Sequence, residues 1–83
     1  MMEPYDVAQE GLKQLKQAVI ALLRSHSEGL RNVDIASALG LRSDQAGNQK
    51  DYLSFSILGL LMSSGAVVKT GESTYKLFTP EKS

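Results

Sequence analysis

Apolar residues recur along this chain with two periods, and the place where the period changes divides it. From Val7 to about Ser25, Ala8, Leu12, Leu15, Val19, Leu22 and Leu23 fall on one helical stripe, with Lys13, Gln17 and Arg24 outside it. This predicts an amphipathic helix. Pro4 argues against an earlier start, and Asp6 is the expected cap. Gly11 inside the run costs about 1 kcal/mol relative to alanine, which loosens the first turns. Arg24 and His26 suit the negative pole at the helix end. Ser27 to Arg31 reads as a short connection turning at Gly29. A compact second helix follows in NVDIASALGL. Asn32 is its expected cap, and Ile35, Ala36 and Leu39 recur at helical spacing. Gly40 stands where a left-handed residue is wanted, and Leu41 turns back as an apolar plug. A polar loop then runs to Asn48.

The most apolar stretch is Gln49–Gly65, QKDYLSFSILGLLMSSG. Its apolar positions do not alternate and the run is long for a strand, so a third helix is predicted. At helical period Leu53, Ile57, Leu60 and Leu61 share one face, with Leu58 at its edge and Ser64 at its end. The five apolar residues of this face, each contributing about 1.5–3 kcal/mol when fully buried, make this helix the expected centre of the core. Tyr52, Phe55, Gly59 and Met62 fall on the opposite side. A helix that is apolar all round is normally covered on more than one side. Tyr52, Phe55 and Met62 are therefore a candidate homodimer or partner seam, or are covered by the loop before the helix or by the N-terminal tail. Serines 54, 56, 63 and 64 interrupt the run, and its apolar part falls short of the roughly 20 residues a membrane span needs.

After Gly65 the period becomes two. AVVKT is β-branched, Gly71 to Ser73 is turn-like, and TYKLF alternates, with Tyr75 and Leu77 on one side and Thr74, Lys76 and Phe78 on the other. This predicts a β-hairpin. The expected organisation is a tail over residues 1–6, one domain over 7–79 and a tail over 80–83.

Composition narrows the chemistry. The 83 residues include no cysteine, which excludes disulfides, thiolate metal sites and a cysteine nucleophile. His26 is the sole histidine and has no nearby acid pair to complete a metal site, so no metal and no cofactor are expected. No phosphate loop, nucleophile motif or carboxylate pair appears, and the expected activity is non-catalytic. No apolar signal region is seen at the N-terminus, which makes a cytoplasmic location the expectation. Lys+Arg and Asp+Glu each count nine, for a formal net charge of zero. DNA is bound largely through phosphate neutralisation, so a neutral chain binds it only if its cations gather on one side.

The arrangement resembles a winged helix-turn-helix domain. The resemblance is carried by Ala36 followed by Gly40, the small-residue and turn-glycine spacing of the helix-turn-helix. It is carried also by Leu61, Gly65 and Val67, which are similar to the end of a recognition helix entering the first wing strand. It covers about Leu12 to Phe78 and implies a mainly α (α+β) fold, three helices with a C-terminal two-stranded hairpin wing at Lys69–Lys76. The turn after Gly40 is longer than the pattern, and the start of the third helix holds one cation, Lys50, beside Gln49 and Asp51.

The resemblance implies a DNA-binding regulator that places the start of the third helix in the major groove of double-stranded DNA. Asn48, Gln49 and Gln45 then offer side-chain amides, the groups that pair with both edge atoms of adenine. Lys50 meets guanine or phosphate, and Ser54 a phosphate one turn on. Arg31 and Arg42 touch the backbone beside the helix, and Lys69 and Lys76 do so from the wing. The alternative is a winged-helix protein-interaction or dimerisation module without DNA affinity. The plain reading of these residues is a solvated surface. For Tyr75 and Phe78 it is packing on the helices beneath.

Overall fold

A computed structural model describes residues 3–41, 52–71 and 73–78. In chain order they form α1 (Pro4–Arg24), β1 (Leu30–Arg31), α2 (Asn32–Leu39), α3 (Tyr52–Ser63), β2 (Val67–Thr70) and β3 (Thr74–Leu77). Three helices stand against a three-stranded antiparallel sheet of order β1-β3-β2, a mixed α+β fold.

The first helix starts earlier than expected. Proline occupies its first turn with Glu3 as an uncapped flanking residue, and Asp6 lies inside the first turn instead of capping it. Proline is suited to this place, because its fixed φ is helical and its missing N–H is one the first turn cannot satisfy anyway. The second helix ends as its sequence predicts. Gly40 has φ +69°, and the amides of Gly40 and Leu41 donate back to the carbonyls of Ser37 and Ala36. The same pair of bonds closes α3, with Gly65 at φ +86° and the amides of Gly65 and Ala66 donating to Met62 and Leu61. Both are Schellman endings, and in each an apolar residue follows the glycine.

Two further expectations are corrected. Asn32 does not cap α2; it is the first helical residue, and Arg31 stands at the cap without a side-chain bond. The connection before α2 contains a strand, so the sheet has three strands where the sequence predicts two. Leu30 pairs with Tyr75 and Arg31 with Thr74. Two residues are too few to show a period, which is why β1 leaves no pattern. Gly29 makes it possible. It lies at φ +93°, and a Cβ there would sit 2.6 Å from Thr74 Cγ2 and 2.9 Å from the Tyr75 carbonyl oxygen.

The core joins Val19 and Leu23 of α1, Ile35 of α2, Ile57, Leu58 and Leu61 of α3, Val67 of β2 and Tyr75 of β3. The third helix supplies the largest share, as expected, but in another phase. Its buried face is Ser54, Ile57, Leu58 and Leu61, while Leu53 and Leu60 are 46% and 43% exposed. With apolar residues on every side, apolar spacing alone leaves the rotation of this helix undetermined. Contact with α1, α2 and β2 sets it. No described helix is long and apolar enough to cross a membrane.

Candidate nucleic-acid interface

The expected interface has three parts: the start of α3, the arginines beside it and the hairpin. Arg42, Gln45, Asn48, Gln49 and Lys50 lie outside the described residues, as does Asp51.

Ser54 is not a surface group. It is fully buried, and its hydroxyl donates to Asn32 Oδ1 at 2.6 Å. A buried hydroxyl must find a partner, and here that partner ties the third helix to the first turn of the second. The expectation that Ser54 reaches a phosphate is overturned by this geometry. Ser54 positions α3 and has no access to a ligand.

Arg31 is exposed at the sheet edge, and its Nε donates to Asp34 Oδ2 at 3.3 Å across one helical turn. An exposed pair of this kind is weak, so it leaves the guanidinium available to a phosphate. The hairpin lysines separate. Lys69 pairs across the strands with Tyr75, and its ammonium lies 5.9 Å from the Tyr75 ring centroid. Tyr75 is buried against the helices, so Lys69 belongs to the helix-facing side of the sheet, exposed near the turn. Lys76, next to Tyr75 in the same strand, points to the other side, because side chains alternate along a strand. Arg31 pairs with Thr74 and shares that outer side. The structure therefore brings Arg31 and Lys76 to one face of the sheet and Lys69 to the other.

The outward surface of α3 is built from Tyr52, Phe55, Ser56, Gly59 and Ser63, flanked by Leu53 and Leu60. No charged residue occurs from Tyr52 to Ser63. Phe55 is 55% exposed, whereas Met62 is half-buried and packs on the core. Tyr52 and Phe55 thus face outward as the seam reading requires, and Met62 does not. Apolar spacing does not anticipate the exposure of Leu53 and Leu60, since it assigns both to the core. Phe78 stays exposed beside β3 while Tyr75 packs inward.

His26 and Glu28 meet in the turn after α1, with Nδ1 to Oε2 at 3.5 Å. The carboxyl of Glu28 is held below the ordinary glutamate range, first by a hydrogen bond from its own backbone and then by one from His26. This stabilises the turn locally. Among the described residues no group of three or more His, Asp or Glu side chains is placed to hold a metal ion.

Comparison of the chain with protein-family models, with curated proteins and with solved structures finds no match.

Proposed function

We propose that this chain is a winged-helix domain that binds double-stranded DNA through the start of α3 and the β2–β3 hairpin, as a small non-catalytic transcriptional regulator of the cytoplasm. One observation carries the reading. The elements run α1-β1-α2-α3-β2-β3, with β1 joining the sheet beside β3 and β2 in contact with α3, an order that supports the winged-helix reading. The Ala36–Gly40 turn between the second helix and the loop supports the same reading. A labelled generic duplex titrated at low salt should bind, and binding should weaken steeply as salt is added. Absence of binding at the lowest salt removes the DNA reading.

A second reading keeps the winged fold and gives it a protein partner. The uncharged outward surface of α3, with Phe55 and Leu60 exposed, favours it. Phe55→Asp separates the two. Loss of DNA binding in the variant, with no change in association state, favours the groove-reading role. Loss of self- or partner association with DNA binding absent in both proteins favours the interaction module.

A further inference from the structure

The first two turns of α1 leave the body of the domain. Every residue from Glu3 to Gly11 is exposed, and Tyr5 is 71% exposed. Tyr5 and Ala8 nevertheless continue the apolar stripe that Leu12 and Leu15 carry into the core. Two helical turns are too short to be stable unaided, and these are propagated from the packed part of the helix. An open groove of about 360 Å³, which begins at Gln9 within these turns, lies between α1 and the junction of α3 with β2. Leu12, Ile20, Leu61 and Ala66 form its floor, and Lys13 and Lys16 stand on its rim.

The projecting turns and the groove match in charge and length. From Glu3 to Leu12 the ionisable acids are Glu3, Asp6 and Glu10, with no lysine or arginine. The groove rim is basic. Glu10 accepts a hydrogen bond from Gln14 Nε2 at 2.9 Å along the exposed side of the helix. At 1.5 Å per residue the projecting turns span about 12 Å, against about 17 Å for the α1 wall of the groove from Gln9 to Ile20.

We infer that two copies of this chain pair antiparallel through α1, each laying its first two turns into the groove of the other. An isologous contact counts every interaction twice, and in antiparallel register Asp6 of one copy stands near the partner's Lys16 at both ends. The formal net charge of zero leaves no long-range repulsion to overcome. This contact uses neither the start of α3 nor the hairpin, so it stands or falls independently of DNA binding.

Sedimentation of the full chain from about 1 μM to about 1 mM should show a monomer–dimer equilibrium that weakens with salt. Asp6→Lys sets like charges against each other at both ends, as does Lys16→Asp. Each should weaken pairing by about tenfold or more. An equimolar mixture of the two variants restores opposite charges at both ends, so it should pair again as a heterodimer. Tyr5→Ser tests the apolar contribution without changing charge and should also weaken pairing. Circular dichroism checks that each variant remains folded. A monomer throughout the range overturns the inference. So does a dimer indifferent to both reversals, or a mixture that fails to pair. A dimer broken by Phe55→Asp and untouched by the α1 variants would place the contact on α3 instead.

Discussion

Single residues show where spacing is a poor guide to placement. Ser54 sits in an apolar run, where a serine reads as the polar side of a helix. It is buried because its hydroxyl has a dedicated acceptor in Asn32, a residue 22 positions away that local pattern cannot connect to it. Gly29 is the opposite case, a turn signal that does more than turn. Its positive φ and its closeness to Thr74 and Tyr75 admit no side chain. Left-handed backbone costs a residue with a Cβ about 1–2 kcal/mol, and overpacking costs about 1–3 kcal/mol more. Gly29→Ala should therefore lower stability by about 2–5 kcal/mol. In urea unfolding the midpoint should fall while the denaturant slope stays unchanged. A loss below about 1 kcal/mol would mean that β1 does not lie against β3 as described.

At the level of elements, the ends are more legible than the faces. The glycine stops of α2 and α3 and the alternation of β3 follow from local chemistry, and each is where the sequence places it. The start of α1 is misplaced because proline reads as a breaker, when at the first turn it is a good beginning. The strand β1 has no local signature and exists only through its pairing with β3. The face of α3 is illegible for a different reason. Leu53, Leu58, Leu60 and Leu61 are chemically equal candidates, and only the neighbours choose among them. The sequence names the candidate interface as residue types and leaves its geometry open, since nothing local reveals that Lys69 and Lys76 lie on opposite faces. The phase of α3 can be measured directly. Leu58 is fully buried, so Leu58→Ala should cost about 2–5 kcal/mol, a large part of the stability of so small a domain. Leu53 is half in solvent, so Leu53→Ala should cost less than about 1 kcal/mol. The reverse order of losses in thermal or urea unfolding would restore the rotation that the spacing suggests.

For the molecule as a whole, the distribution of charge matters more than its total. A neutral chain holds a polyanion only where cations face it together, and the described cations do not all face one way. The helix-facing side of the sheet carries Lys69, while Arg31 and Lys76 occupy the outer side. On the proposed reading a duplex on α3 meets the hairpin from its helix-facing side, that of Lys69, while Lys76 lies on the opposite side of the sheet. Each phosphate contact adds about 0.9 to the steepness of log affinity against log salt. Lys69→Ala should lower that slope by about 0.9 and weaken binding uniformly across sequences, because a phosphate contact carries no base information. Lys76→Ala should leave both slope and affinity unchanged. If Lys76 carries the salt dependence and Lys69 does not, the duplex lies on the outer face of the sheet with Arg31, and α3 is free of it. In that arrangement the uncharged surface of α3 would be left to a protein partner, and the same pair of titrations decides between the two.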